Sequence, residues 1–165
     1  MIVVADTSPL NYLIQVGYES LLPALYKRVL IPVAVLEELG DPAAPAVVSQ
    51  WLLYVPAWIE VKRTAAAPDA ALSFLDPGER QAIQLAQEQC ADLLLIDERR
   101  GRVEAVRRGL ATTGTLGVLL AAAERGSIDA AAVFHQFTTK TNFRTTPELR
   151  RTFLQEVREI AKKNA

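Results

Sequence analysis

Two apolar stretches of this sequence each end in an aspartate, and these aspartates are its first candidates for chemistry. Ile2–Ala5 precedes Asp6, and Leu93–Ile96 precedes Asp97. Both stretches are continuously apolar rather than alternating, which is typical of a strand covered on both faces in a parallel sheet. If the two strands are neighbours, the carboxylates meet at one edge of the sheet. Carboxylates that close repel each other unless a cation lies between them, and oxygen ligands suit Mg²⁺ or Mn²⁺.

Two glutamates are candidates for the same site. Glu79 stands three residues after Asp76, which is the spacing of a capping box. Glu79 also lies on the helix face whose apolar residues would pack toward the sheet, so its carboxylate can point at the same edge. Glu38 lies beside the apolar stripe of a short helix that ends before Gly40, whereas Glu37 faces away. Because an acid at a helix C-terminus opposes the helix dipole by roughly 0.3–1 kcal/mol, Glu38 is expected to have a compensating contact.

Helix capping is the structural alternative for three of these acids. Asp97 directly precedes a predicted helix and could cap it, and Glu79 could serve only as the partner in a capping box. The alternative is weaker for Asp6, because Thr7 and Ser8 can cap the helix that Pro9 opens. The alternatives stay open at the level of the sequence.

The composition excludes several other kinds of site. Cys90 is the only cysteine and His135 the only histidine, so an intrachain disulfide, a cysteine-based zinc site and His-pair chemistry are all excluded. His135 lies within a run of Ala, Val and Phe, a context that favours a core or surface role over catalysis. The chain has neither a signal-peptide pattern nor an apolar run of the ~20 residues that a membrane helix needs. We expect a soluble, cytoplasmic protein with one domain over residues 1–165, comprising a core of about 2–125 and a C-terminal helical extension of about 129–163.

The formal net charge of −1 hides a strong asymmetry along the chain. Residues 1–98 hold 5 of the 18 basic and 13 of the 19 acidic residues, so the net charge is −8 there and +7 over residues 99–165. Such segregation suits a polyanion bound beside a cation-binding cleft, although solvated helix faces would give the same count. Arg99, Arg100 and Arg102 follow Asp97 closely and are placed to neutralise phosphates; for Arg99 a solvated face is an equal alternative.

Strands that alternate with helices predict an α/β fold with a mostly parallel sheet and helices on both faces. Weaker strands are expected at 29–31, 59–61 and 110–112, and helices at 8–14, 32–39, 76–89, 98–108, 116–124, 130–137 and 147–162. The least regular stretch is 138–146. An apolar cluster formed by Trp51–Tyr54 and Trp58 could serve the core or an interface such as a homodimer.

Four short motifs, taken together and in this order, resemble the PIN-domain family. They are Val3–Leu10, Val35–Leu39, Gly78–Ile83 and Leu95–Arg102, and they are followed by Gly114–Gly117, which resembles the small prokaryotic branch related to VapC-type toxins. The resemblance runs from Ile2 to about Ala123.

This resemblance implies an α/β/α sandwich that cleaves single-stranded RNA through a metal-activated water. It implies Mg²⁺ or Mn²⁺ as the cofactor and a small antitoxin as a partner. The residues that match the catalytic and metal-binding positions of the family are Asp6, Glu38, Glu79 and Asp97. Arg102 matches an arginine of the family, which leaves open that it pairs with a carboxylate rather than with a phosphate.

The sequence departs from the family in one region. Many members carry a further acidic or polar residue after the fifth strand, whereas Thr112–Thr115 contains no carboxylate. The hydroxyls of Thr7, Ser8 or Thr115 are expected to hold a water or substrate there. The departure also leaves open an RNA-binding or regulatory PIN-like module with weak or lost nuclease activity. A phosphotransferase fits poorly, because no second aspartate stands two residues after Asp6.

Overall fold

The central sheet has five parallel strands in the order β3-β2-β1-β4-β5. The computed structural model describes residues 1–165. Its strands are β1 (Val3–Ala5), β2 (Val29–Pro32), β3 (Ile59–Lys62), β4 (Leu93–Leu95) and β5 (Thr112–Thr113). The chain starts in the middle of the sheet, moves outward through β2 and β3, and then returns to the other side of β1 for β4 and β5. Strand order therefore reverses between β1 and β4.

Helices cover both faces of this sheet and fill the connections. They are α1 (Thr7–Val16), α2 (Leu21–Tyr26), α3 (Val33–Leu39), α4 (Ala46–Leu52), α5 (Pro77–Glu88), α6 (Arg99–Arg107), α7 (Thr115–Glu124), α8 (Ala130–Lys140) and α9 (Pro147–Asn164), with a 3-10 helix at Ala70–Leu72. The α/β architecture predicted from the sequence is confirmed, and the sheet is wholly rather than mostly parallel. None of the helices combines the length and the apolar character needed to cross a membrane.

The strands separate two apolar cores. In β1, Val3 and Ala5 point into a larger core of 24 buried residues that includes side chains of α1, α2, α7, α8 and α9. Val4 points the other way, into a smaller core of 11 buried residues formed largely with α5 and α6. Because successive side chains of a strand face opposite sides of the sheet, both faces of β1 must be apolar. This explains why the strands that carry Asp6 and Asp97 have no polar alternation.

The apolar cluster of Trp51–Tyr54 and Trp58, which could serve the core or an interface, is partly buried and partly exposed. Trp51 and Trp58 pack together, with ring centroids 6.3 Å apart, and both contact the larger core. Leu53 and Tyr54 are instead 72% and 87% exposed. Only the tryptophans and Leu52 contribute to the interior.

An ion-pair network around Glu104 connects the end of α6 to the segment before the 3-10 helix. The Glu104 carboxylate accepts hydrogen bonds from Arg107 and from Arg108 Nε, the latter at 2.7 Å. Arg108 Nη1 also donates to Asp69 Oδ2 at 2.8 Å, just before the 3-10 helix. Arg107 and Arg108 together hold the pKa of Glu104 at about 2. These two arginines therefore serve an ion-pair network rather than an open basic surface.

We expect Glu104→Gln to lower the melting temperature at pH 7, and we expect this decrease to become smaller as the pH falls. The pKa of Glu104 is lower in the folded protein than its ordinary 4.5, so the stabilisation is present above about pH 4.5 and is lost as the pH falls toward 2. Thermal unfolding of both proteins at pH 7, 4 and 3 measures this. A difference in melting temperature that stays constant over this range would contradict the prediction.

Candidate functional site

Asp6 and Asp97 lie at the point where the strand order reverses. β1 and β4 are direct neighbours with Ala5 paired to Leu95, and Asp6 N–H donates to Leu95 O at 2.9 Å. Asp97 follows two residues after the end of β4. In open parallel sheets the ligand crevice lies at this place, outside the carboxyl ends of the strands.

Asp6 is buried, and its side chain is not used for capping. It occupies the N-cap position of α1, yet its carboxylate makes no capping hydrogen bond. Pro9, the third residue of the helix, has no N–H to donate, so one of the two usual partners of an N-cap side chain is missing. The prediction that Thr7 or Ser8 is the N-cap is wrong, since the helix already begins at Thr7. As a result Asp6 Oδ1 is buried without any hydrogen-bond partner.

The environment of Asp6 disfavours its charged form. Burial raises the pKa of Asp6 well above its ordinary value, and the negative charges of Glu79, Glu38 and Asp97 raise it further. A hydrogen bond with the Thr7 backbone offsets part of this increase. The other three acids predicted from the sequence therefore all lie close enough to Asp6 to repel its charge.

Glu38 is held by donors from two other helices. Its Oε1 accepts from Gly78 N–H at 2.8 Å, and its Oε2 accepts from the Thr7 hydroxyl. These bonds are the compensating contact expected for an acid near the C-terminal end of α3. A Cβ on Gly78 would overlap the Glu38 carboxylate, so no larger residue fits while Glu38 keeps this position.

We expect Gly78→Ala to lower the free energy of unfolding by about 1–2 kcal/mol, because the added methyl group pushes the half-buried Glu38 carboxylate out of its hydrogen bonds with Gly78 N–H and the Thr7 hydroxyl. Gly40→Ala at the end of α3 is the matched control, since a Cβ there meets only atoms at 3.5 Å or more. That change should stay within about 0.5 kcal/mol of the wild type. Urea unfolding measures the stability of both variants. An equal loss of stability in the two would show that the contact between Gly78 and Glu38 does not require glycine at position 78.

Glu79 combines the two roles that its spacing allowed. Its Oε2 accepts from Asp76 N–H at 3.3 Å, which is one half of the predicted capping box. The residue is only 7% exposed, and burial raises its pKa, as do the charges of Asp76, Glu98 and Glu38. The hydrogen bond from Asp76 works in the opposite direction. Glu79 is thus a helix-capping partner that also belongs to the acidic group around Asp6.

Asp97 caps a helix, but not the one that it precedes. Its Oδ1 accepts from Thr115 N–H at 2.7 Å and its Oδ2 from the Thr115 hydroxyl at 2.6 Å, so it holds the start of α7. The N-cap of α6 is Glu98. Burial raises the pKa of Asp97, whereas the Thr115 hydrogen bonds and the charge of Arg102 lower it. Thr115 is completely buried, so its hydroxyl positions Asp97 and does not face a substrate.

The four carboxylates share one end of the sheet without forming a single cluster. No three of the acidic, histidine or cysteine side chains of the chain converge closely enough to hold one ion. Glu38 and Asp97 are held by hydrogen bonds with Gly78, Thr7 and Thr115, so the side chains as they stand bring the four acids near Asp6 but not onto one point. The chemistry of the group nevertheless fits a divalent cation: every donor is an oxygen, and the unpartnered oxygen of Asp6 is buried among like charges.

The remaining predicted substrate residues lie around this acidic group. Ser8 is half-buried in the first turn of α1, and Arg99, Arg100 and Arg102 are exposed on α6. Arg100 stacks over the Phe74 ring, with its guanidinium 5.1 Å from the ring centroid, in a depression that also contains Glu79. Arg102 lines a separate cavity beside Asp97.

Sequence reasoning missed three residues near the site. Gly78 belongs to one of the motifs, but nothing in its local pattern shows that it bonds to Glu38. Phe143 and Arg144 line the cavity beside Asp97 from the irregular stretch after α8. That stretch has no periodicity from which its position could have been derived.

A family model described as a PIN domain matches residues 2–159. This match extends beyond the last motif, which ends at Gly117, and includes α8 and most of α9. It does not single out a relation to the VapC branch. The comparison with curated proteins gives no match for this chain.

Proposed function

We propose that this chain, which belongs to the PIN-domain family, is a metal-dependent endoribonuclease acting on single-stranded RNA. Members of that family are generally nucleases. The observation that carries the proposal is the buried Asp6 carboxylate, which has an unpartnered oxygen and three acidic neighbours at the reversal of strand order. Such an arrangement is unfavourable for stability alone. It becomes reasonable where a cation and a phosphate are to be bound.

The four acids divide the work of such a site. Asp6 and Asp97 would hold the cation, with Glu38 and Glu79 beside them. When bound, a divalent cation neutralises the carboxylates and polarises a phosphodiester toward attack by water. Asp97 is oriented for this by its two hydrogen bonds with Thr115.

Glu79 is the best-placed proton acceptor of the group. Its pKa is raised, and a base is most effective when its pKa lies close to the working pH. It opens on a depression shared with Arg100 and Glu98. Arg100 and Arg102 flank the acids on α6 and supply positive charge for phosphates of the RNA backbone.

An RNA-binding module without nuclease activity is the second candidate. Two observations favour it: no three acids converge as the side chains stand, and residues 112–115 contain no carboxylate. Such a module would bind RNA through the same basic residues but would not need a cation.

Cleavage and metal binding separate the two candidates. We expect the chain to cut single-stranded RNA only when Mg²⁺ or Mn²⁺ is present, and millimolar metal to raise its melting temperature by linkage. A chelator and a double-stranded RNA of the same sequence are the controls. RNA binding without cleavage and without a metal-dependent shift would favour the binding module and would contradict the nuclease.

We extend the proposal to the toxin of a toxin–antitoxin pair on the resemblance of Gly114–Gly117 to the VapC-related branch. A toxin should arrest growth when expressed alone, and co-expression of a small protein encoded beside it should relieve the arrest. Expression of the Asp6→Asn variant controls for the burden of protein synthesis. Equal growth with both forms would contradict the toxin role while leaving the nuclease activity untouched.

A further inference from the structure

A cavity of about 240 Å³ lies beside Asp97, between α7, α9 and the loop 141–146 that joins α8 to α9. We call it the Asp97 pocket. Its walls combine an apolar surface with charged and hydroxyl side chains, among them Arg102, Arg144 and Glu156. The apolar side chains are Leu116, Leu120, Phe143, Leu149 and Phe153.

We infer that the Asp97 pocket binds one unpaired base of an RNA substrate and prefers guanine. This inference rests on the proposed nuclease function, since it assigns a specificity site next to the reacting phosphate. The position of the cavity carries the first step of the argument. A group seated in it lies against Asp97, so the adjoining phosphate reaches the acidic group.

The walls suit the face of a base. Unpaired bases are bound by stacking on aromatic and apolar side chains. The Phe143 ring is fixed by two other rings, with centroids 5.1 Å from Tyr12 and 5.5 Å from Phe137. An aromatic wall that is already fixed loses little conformational freedom when a ligand binds.

Two arginines of the pocket are not engaged elsewhere in the protein. Arg102 and Arg144 both line it, and neither belongs to any of the ion pairs of the chain. By contrast, Arg107 and Arg108 on the same helix as Arg102 are bound to Glu104. The charge of Arg102 also acts on Asp97, but with no ion pair of its own each guanidinium suits a phosphate on one side of a bound base.

Glu156 indicates which base is preferred. Its carboxylate is the acidic group of the pocket besides Asp97, and an ionised carboxylate can only accept hydrogen bonds. The Watson–Crick edge of guanine presents two adjacent donors, N1–H and N2–H, which match the two oxygens. Adenine, cytosine and uracil each place an acceptor beside their donor, so they pair with one oxygen and face repulsion at the other.

Nucleotide binding by the full chain tests this without requiring catalysis. We expect GMP to bind about tenfold more tightly than AMP, CMP or UMP in calorimetric titrations, since one bidentate contact discriminates by about that factor. Glu156→Gln should remove the preference, because an amide offers one donor and one acceptor. Glu159→Gln, an exposed acid on the same helix outside the pocket, should retain it.

The phosphate contacts are tested in the same way. Arg144→Gln should weaken the binding of GMP, AMP, CMP and UMP by a similar factor and leave the preference for GMP unchanged. Arg158→Gln, an exposed arginine of α9 that does not line the pocket, is the matched control and should bind like the wild type.

The outcomes distinguish this inference from the proposed function. If RNA is cut but GMP shows no preference, or if Glu156→Gln retains it, the Asp97 pocket is not a guanine site and the nuclease proposal stands. If GMP is preferred and Glu156→Gln removes the preference in a chain that does not cut RNA, the base site is supported and the nuclease proposal fails. Absence of binding by any nucleotide at millimolar concentration overturns the inference.

Discussion

Asp6→Asn is expected to reduce metal-dependent RNA cleavage by at least about 100-fold while raising the melting temperature of the metal-free protein. Changing a residue that merely supports a metal ligand reduces affinity or activity about 10–100-fold, so losing a ligand charge should do more. In the absence of metal, the same change replaces a buried carboxylate by a neutral amide of nearly the same shape. It thereby relieves the repulsion from Glu79, Glu38 and Asp97.

The raised pKa of Asp6 also predicts how the stability of the protein changes with pH. Because the pKa of Asp6 is higher in the folded than in the unfolded protein, its favourable contribution is complete below about pH 4 and is lost as the pH rises through the folded value. The wild type should therefore lose stability relative to Asp6→Asn between about pH 4 and neutrality. This direction is opposite to the one expected for Glu104.

Melting curves over pH 4–8 without metal, together with cleavage rates at pH 7, measure both effects. Asp129→Asn is the matched control, because Asp129 only caps α8 and asparagine caps nearly as well. Cleavage by Asp6→Asn at the wild-type rate, or parallel stability curves for the two proteins, would show that Asp6 has no such role.

Two substitutions of Asp97 should both lose activity but should differ in stability. Asp97→Ala leaves the buried N–H and hydroxyl of Thr115 without their partner, which should cost about 2–4 kcal/mol of stability. Asp97→Asn keeps an acceptor for the Thr115 N–H and should cost about 1 kcal/mol or less. Both variants should lose cleavage, since both remove the charge.

Urea unfolding and RNA cleavage of the two Asp97 variants test this pattern. If Asp97 served only to cap α7, the asparagine variant would cleave RNA at the wild-type rate. If the alanine variant were as stable as the asparagine variant, the hydrogen bonds with Thr115 would not contribute as described.

The order of strands and helices was predictable because it depends on local patterns. The continuous apolar runs before Asp6 and Asp97 identify strands buried on both faces, and Gly or Pro marks several helix ends. α2 and α4 were not predicted, because they have only 6 and 7 residues and no glycine ends either of them, whereas Gly40 ends the equally short α3. Helices so short are formed by packing against the larger core rather than by their own sequence.

The candidate site was predictable in its residue types but not in its contacts. Parallel strands that end in aspartate indicate which carboxylates can meet, because topology alone brings them to one edge. The partner of Asp97 stands 18 residues away and the donor to Glu38 40 residues away. No local spacing encodes such pairs. The effect of Pro9 on Asp6 depended on where α1 begins, which is the kind of boundary that sequence patterns define least well.

The pairing of β1 with β4 also determines when the site can exist during synthesis. Val3 pairs with Leu93, and the hydroxyl that orients Asp97 belongs to Thr115. A nascent chain therefore carries Asp6 about 90 residues ahead of β4, and until β4 is made only β2 can pair with β1. Contacts so distant in sequence form late, after a large loop has closed. A ribosome translating this protein thus carries an incomplete site until Thr115 has emerged.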